Sequence, residues 1–203
     1  MENNITPIQE EKIKVRKKIK DIYKTLNKTE IAENSKKILG NLKLLEIWNK
    51  ANTILAFLPL GDEVDTTYII EEALTQGKKV AVPRINNSEI VFHYITSLSK
   101  EGLMKHDYGI YEPLQEAESV NINNSDNSKI LILTPGMAFD KQCNRLGRGK
   151  SFYDRYLSVH GKNCTKAGIA FSFQITENLP FEKHDVQLDF VVTDKNIFSC
   201  TGN

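Results

Sequence analysis

Two short apolar runs on either side of a helical segment are the feature that most constrains how this chain can fold. The runs are Thr53–Pro59 and Lys78–Ile85, and the segment between them is Thr66–Gln76. That segment has helical periodicity and is followed by Gly77, a typical residue at a helix C-terminus. A strand–helix–strand unit of this length places its two strands parallel, joined by a right-handed crossover.

Later segments continue the alternation. Further strands are predicted at Glu89–Ile95, Lys129–Pro135, Lys166–Ser172 and Asp189–Asp194, a helix at Ser151–His160 and a polar loop at Asn121–Ser128. We therefore predict an α/β fold, a three-layer, mostly parallel open sheet with helices on both faces. Ligands of such sheets bind at the carboxyl ends of the strands.

The N-terminal segment, residues 6–48, is expected to be helical and to pack on this sheet. Thr6, Pro7 and Gln9 form the signature of a capped helix start, and a second helix is expected near Thr29. The first helix is rich in lysine, a pattern that fits a solvated face or, less simply, a grip on nucleic acid. We expect one α/β domain over residues 1–203.

Charge and cysteine content narrow the functional class. The net charge of the 203 residues is +1, so no overall field recruits nucleic acid or a membrane surface. Cys143, Cys164 and Cys200 are odd in number and lack metal-ligand spacing, which predicts neither a disulfide framework nor a zinc site. The polar N-terminus lacks a signal-peptide core. We expect a cytoplasmic monomer with no nucleic-acid or membrane partner.

A cluster of cations and glycines lies between the predicted strand Lys129–Pro135 and the helix that starts near Ser151. It comprises Arg145, Leu146, Gly147, Arg148, Gly149 and Lys150. Glycines let backbone N–H groups approach an anion closely, and the following helix start adds partial positive charge. The segment predicts a cradle for a polyphosphate, although a basic surface turn that caps a helix has a similar composition.

The end of this cluster also matches the last residues of a P-loop, Gly149-Lys150-Ser151. Asn144 stands where the first P-loop glycine would be, and the preceding strand ends too early. A small-molecule kinase of the P-loop type is therefore an alternative to be tested. A nucleic-acid-binding module that uses the lysine-rich helix is a second.

The flanking residues carry a resemblance. The segment PGMAFD…NRLGRGKSFYDRYL resembles the signature of the 5-formyltetrahydrofolate cyclo-ligases, also called methenyltetrahydrofolate synthetases. Similar elements occur in order at KIKVR, LPLGDEVDT, GKKVAVPRI, YGIYEP and HDVQLDFVVTD, from residue 12 to the C-terminus. The resemblance implies an ATP- and Mg²⁺-dependent ligase that cyclises 5-formyltetrahydrofolate to 5,10-methenyltetrahydrofolate through a phosphorylated formyl group. Whether the substrate carries a polyglutamate tail is left open.

The resemblance also implies roles for individual residues. The nucleotide is expected to contact Lys12, Arg16 and the loop from Arg145 to Tyr153, including Leu146, Ser151 and Phe152. Arg145, Arg148 and Lys150 are the expected catalytic cations. The folate is expected to contact Leu58, Glu63, Tyr108 and Tyr153, and Mg²⁺ to be held by Asp154 and Asp189.

Several of these residues also admit ordinary structural interpretations. Glu63 could be a surface carboxylate, Tyr108 could pack over the turn at Gly109, and Asp154 could only complement a helix dipole.

The sequence departs from the family pattern at two positions where the family usually has glycine, Cys143 and Ser151. Of the backbone conformations open to Ser151, we expect that of an ordinary helix start, with negative φ.

Overall fold

The computed structural model describes residues 6–86, 89–99, 101–105, 111–122, 129–182 and 184–200. Its helices are α1 (Pro7–Tyr23), α2 (Lys28–Leu44), α3 (Glu46–Lys50), α4 (Thr67–Thr75) and α5 (Phe152–His160). Its strands are β1 (Thr53–Leu55), β2 (Lys79–Asn86), β3 (Glu89–Ile95), β4 (Leu103–Lys105), β5 (Tyr111–Pro113), β6 (Ile130–Thr134), β7 (Ala138–Asp140), β8 (Arg145–Leu146), β9 (Thr165–Ile169), β10 (Ile175–Thr176), β11 (Phe190–Val192) and β12 (Ile197–Ser199).

The central sheet has seven strands in the order β12-β11-β9-β6-β1-β2-β3. The five inner strands, β11 to β2, are parallel to one another, which confirms the predicted α/β class. The two outer strands, β3 and β12, are antiparallel to their neighbours. Only two residues separate β2 from β3, too few for the crossover that a parallel pair needs, so these strands form a hairpin.

Alternating side chains of the inner strands supply two apolar cores. Leu131 and Leu133 of β6 face the layer of α2, α3 and α4. Ile130 and Ile132 face the other side of the sheet, where Tyr156 and other residues of α5 pack. Near-continuous apolar strands are what a sheet covered on both faces requires, so helices on both faces follow directly from the sequence of β6.

A smaller sheet, β10-β7-β8, lies between α1 and the main core. Ile19 of α1 packs against Met137, just before β7, against Ala138 on β7 and against Leu146 on β8. The predicted capping box of Thr6 and Gln9 begins α1. This packing matters for the site, because it fixes α1 against the strand that leads into the glycine-rich loop.

The cysteines include one bonded pair that the sequence did not predict. Cys143 and Cys200 are bonded, 57 residues apart in sequence, while Cys164 is a buried free thiol. Sequence spacing could not reveal the pair, because it is the pairing of β12 with β11 in the sheet that brings Cys200, just after β12, next to Cys143. Among the described residues, no helix is both long enough and apolar enough to cross a bilayer.

Candidate active site

The glycine-rich loop, residues 147–151, connects β8 to α5 and has an unusual backbone. Gly149 has φ +104° and Ser151 has φ 50° and ψ 25°, both in the left-handed half of conformational space. Our prediction of a helix-start conformation for Ser151 is therefore wrong. Cys143, the other residue at a position where the family usually has glycine, also has positive φ, 60°. Both departures thus place a side chain where glycine is the unstrained choice.

Two buried charges lie at the ends of this loop. Nη2 of Arg145, on β8, lies 2.8 Å from Oδ1 of Asp154, in the first turn of α5. The two groups do not align as a hydrogen bond, so the contact is an ion pair, and Nη1 of Arg145 donates to the carbonyl of Pro135 instead. A side chain at Gly147 would meet this guanidinium, since a Cβ there would lie 3.1 Å from Nη1. The pair therefore closes the base of the loop.

Three polar atoms at this base are buried without a hydrogen-bond partner among the described residues. They are Nε of Arg145, the hydroxyl of Tyr153 and Oδ1 of Asp154. Burial also raises the pKa of Tyr153, so its hydroxyl remains protonated and able to donate. Unsatisfied buried groups are rare in folded proteins and need an explanation. Three such atoms on side chains that lie close together indicate that a polar ligand completes the site.

Helix α1 contributes the two cations predicted from its sequence. Nε of Arg16 donates to the carbonyl of Gly147 at 2.9 Å. Nζ of Lys12 is buried and binds the carboxylates of Glu182 and Asp185, at 2.7 and 2.9 Å. Burial by itself would lower the pKa of Lys12, but hydrogen bonds to these carboxylates outweigh it and raise the pKa. Lys12 thus stays charged at the edge of the loop.

On the other side of the loop, Arg148 reaches the turn that follows β1. Its Nε donates to Oε1 of Glu63 at 3.0 Å, and its Nη1 donates to Asp62 at 3.1 Å. Oε2 of Glu63 accepts from the backbone N–H of Leu60 at 2.9 Å. Burial raises the pKa of Glu63, and these hydrogen bonds offset only part of the rise. Glu63 is therefore not the ordinary surface carboxylate that its sequence position allowed.

The loop forms a wall shared by two cavities. The first, about 370 Å³, is polar, and its lining includes Lys12, Arg16, Leu146, Gly149, Glu182 and Asp185. The second, about 410 Å³, is mostly apolar, and its lining includes Phe57, Leu58, Glu63, Ile85, Arg145, Arg148, Lys150, Phe152 and Tyr153. Gly147, Ser151 and Asp154 line both cavities. The arrangement can hold a charged ligand and a flat apolar ligand on opposite sides of one loop.

The structure brings most of the predicted site residues into these two cavities. Tyr108, predicted to contact the substrate, lies outside the described residues. Tyr111, in the same sequence element, is described and lines the apolar cavity. Lys150 also lines that cavity, with its side chain exposed and Nζ 6.0 Å from the Phe152 ring centroid.

The structure does not bring Asp189 to Asp154, the two residues predicted to hold Mg²⁺. Asp189 directly precedes β11 and accepts from the backbone N–H of Lys166 at 2.7 Å, with Nζ of the same lysine 2.9 Å away. It thus lies at the amino end of its strand, whereas Asp154 begins α5 near the carboxyl end of β6. Sequence placed Asp189 next to an apolar run but could not show which end of the sheet that position reaches.

Asp154 alone of the two predicted carboxylates therefore lies where Mg²⁺ could meet a phosphate. Asp154 lines the polar cavity, and its Oδ1 accepts no hydrogen bond although the Arg145 guanidinium lies 2.8 Å away as an ion-pair partner. Magnesium typically uses one or two carboxylates together with phosphate oxygens and waters, so Asp154 fits such an ion. Glu182, His184 and Asp185 also have ligand atoms within 4.8 Å of one another, but the ammonium of Lys12 already binds two of these residues.

Sequence reasoning missed three acidic residues of the site. Glu182 and Asp185 hold Lys12, and Asp62 holds Arg148. Asp185 lies within the matched element HDVQLDFVVTD and Glu182 lies two residues before it, so that element was a usable signal. Asp62 lies within LPLGDEVDT, but nothing local in the sequence connects it to Arg148.

Comparisons of the sequence with known proteins point to one enzyme family. A sequence profile described as the 5-formyltetrahydrofolate cyclo-ligase family matches residues 8–194. The 5-formyltetrahydrofolate cyclo-ligase of Mus musculus is 33% identical over 161 residues, covering 71% of this chain and 74% of the mouse protein. The enzyme of the same name from Haemophilus influenzae is 33% identical over 152 residues, covering 72% and 78%.

Solved structures give the same result. The 5,10-methenyltetrahydrofolate synthetase of Aquifex aeolicus superposes with a TM-score of 0.80 at 34% identity, covering 95% of this chain and 94% of that protein. A 5,10-methenyltetrahydrofolate synthetase from Mycoplasma pneumoniae gives a TM-score of 0.70 at 28% identity, covering 90% and 98%.

Proposed function

The chain belongs to the 5-formyltetrahydrofolate cyclo-ligase family, and we propose that it converts 5-formyltetrahydrofolate to 5,10-methenyltetrahydrofolate at the expense of ATP. The protein is thus a ligase of one-carbon metabolism. The observation that carries the proposal is the loop 147–151, which borders a polar cavity and an apolar cavity at once. ATP phosphates would occupy the polar side and the folate the apolar side.

This division follows from the lining residues. Arg16, Lys12 and the loop supply positive charge and backbone donors on the polar side, as a polyphosphate requires. Phe152 and Tyr153 offer flat aromatic contact on the other side, as a pterin and an aminobenzoyl ring require, and Leu58 adds aliphatic contact. Glu63 can accept hydrogen bonds from the amide N–H and amino group of the pterin.

The chemistry needs a good leaving group at the formyl carbon. Transfer of the γ-phosphoryl group to the formyl oxygen provides one; N10 then attacks that carbon, inorganic phosphate departs with the oxygen, and N10 loses its proton. The enzyme's contribution is to position the reactants and to neutralise charge. Arg145, Arg148 and Lys150 are the residues we assign to the transferred phosphoryl group.

The unsatisfied atoms of Arg145, Tyr153 and Asp154 support this assignment, because they lie where the two ligands would meet. Asp154 would hold Mg²⁺ together with phosphate oxygens, and the ion would supply further charge neutralisation. The P-loop kinase alternative loses support, since the hairpin of β7 and β8 separates β6 from the loop, whereas a P-loop follows its strand directly.

A single assay tests the proposal. Purified protein with Mg-ATP and 5-formyltetrahydrofolate should form the methenyl chromophore, with one ADP released for each chromophore formed. ATP turnover that is independent of folate would instead favour a kinase. Salt-sensitive binding to nucleic acid without either activity would favour the nucleic-acid module. Varying the polyglutamate tail in the same assay defines the preferred substrate.

A further inference from the structure

The guanidinium of Arg148 can bind either the carboxylates of Asp62 and Glu63 or a phosphate group, but not both at once. The backbone of this residue lies in the loop that borders the polar cavity, between Gly147 and Gly149. Its guanidinium, however, is turned to the turn after β1, where it contacts both carboxylate oxygens of Asp62 and one oxygen of Glu63. A phosphate group would compete for the same guanidinium, because phosphates and carboxylates are its preferred bidentate ligands.

Arg148 covers much of Glu63 in this position. The side chain of Glu63 is 8% exposed, whereas that of Arg148, which lies over it, is 37% exposed. The two Glu63 oxygens are already engaged by Leu60 and Arg148. Glu63 still borders the apolar cavity, but a substrate that takes over its Oε1 must compete with the guanidinium of Arg148.

Asp62 holds the guanidinium in place without being buried itself. The side chain of Asp62 is 25% exposed and pairs with Nη1 and Nη2 of Arg148, while Glu63 accepts a hydrogen bond from Nε of the same arginine. Arg148 would therefore still have one carboxylate partner if Asp62 were neutralised, but would lose its bidentate one. Asp62 sets how firmly Glu63 is covered.

We propose that Asp62 is a positioning residue that holds Arg148 across Glu63, so that a nucleotide phosphate must draw Arg148 away before folate binds tightly. This inference rests on the proposed function. It requires positive coupling between the two ligands, since the nucleotide interacts differently with the covered and uncovered states. The same coupling must appear in both directions, with folate tightening nucleotide binding by an equal factor.

The test is equilibrium binding of 5-formyltetrahydrofolate, with and without a non-hydrolysable ATP analogue and Mg²⁺. In the wild type the analogue should tighten folate binding by about 5-fold or more, the lower range of measured allosteric couplings. Asp62→Asn should bind folate several-fold more tightly than the wild type without analogue, and the analogue should then add little. Asp62→Glu should restore the coupling, and Glu71→Gln, an exposed change of equal charge on α4, should leave it intact.

A general loss of stability would weaken folate binding by Asp62→Asn, not strengthen it, so the direction of the change separates positioning from a structural role. Folate binding that is indifferent to the analogue in the wild type overturns the inference and leaves the proposed function standing. Weaker folate binding by Asp62→Asn without analogue also overturns it. Absence of folate binding under every condition overturns both.

Discussion

Arg145 and Asp154 form a buried ion pair, with side chains 3% and 9% exposed, at the point where the two cavities meet. Removal of one partner from such a pair leaves an uncompensated buried charge. Asp154→Asn should therefore lower the free energy of unfolding by about 3–5 kcal/mol, measured by urea denaturation. It should also raise the Mg²⁺ concentration needed for half-maximal activity.

Asp189→Asn is the matched control, because Asp189 pairs with Lys166 at the amino end of β11. It should cost about 1 kcal/mol or less, as a partly exposed pair does, with an unchanged Mg²⁺ requirement. A raised Mg²⁺ requirement in Asp189→Asn would restore the site that the sequence predicted.

Glu63→Gln should raise the KM for folate far more than the KM for ATP. Gln keeps the shape of the side chain, but it has no negative charge and only one oxygen that can accept hydrogen bonds from the pterin. The expected loss in kcat/KM for folate is about 2–5 kcal/mol if the carboxylate pairs with the buried pterin. Steady-state kinetics with each substrate varied in turn measures this; equal effects on both KM values would place Glu63 outside the folate pocket.

The pH dependence of folate binding should reflect the raised pKa of Glu63. Burial makes this carboxyl take up its proton at a higher pH than an ordinary glutamate, whose pKa is 4.5. As the solution is acidified, the KM for folate should therefore begin to rise while the pH is still above 4.5. The KM for ATP should not follow the same titration. In Glu63→Gln this titration should vanish; its persistence would assign it to another group.

Lys150→Ala should lower kcat by about 100-fold or more, as the loss of a charge that stabilises a transition state does. Lys150 is exposed, so its truncation should leave the melting temperature nearly unchanged. Lys162→Ala, in the turn after α5, removes an exposed lysine outside both cavities and serves as the control. A kcat for Lys150→Ala close to that of the wild type would remove Lys150 from the catalytic group.

Ser151→Gly tests the left-handed backbone of the loop. A non-glycine residue in this conformation costs about 1–2 kcal/mol, and glycine costs about 0.4–1 kcal/mol through the entropy of the unfolded chain. Ser151→Gly should thus be neutral or stabilising by up to about 1.5 kcal/mol, whereas Ser151→Ala should be no more stable than the wild type.

Thermal denaturation ranks the Ser151 variants. Nucleotide titration reveals whether the serine hydroxyl also binds phosphate, in which case Ser151→Gly binds ATP more weakly. A clearly lower melting temperature of Ser151→Gly without nucleotide would contradict the interpretation that Ser151 has a strained backbone.

The alternation of apolar runs with a helical segment was enough to predict the parallel strands β1 and β2, because a crossover of that length permits few other arrangements. The order of motif elements was likewise enough to predict the family and most cavity residues, from Arg16 to Tyr153. These are properties of local spacing and residue type, which a linear sequence records directly.

Tertiary structure alone decided the contacts between distant segments. Arg148 and Glu63 are 85 residues apart in sequence, and Cys143 and Cys200 are 57 apart. Asp189 and Asp154 looked equivalent as carboxylates, but the sheet places them at different ends of its strands. The sign of φ at Ser151 was also predicted wrongly, since this backbone angle is imposed by the closure of the loop between β8 and α5. Long-range packing sets such relationships, and no local pattern encodes which distant side chain it brings near.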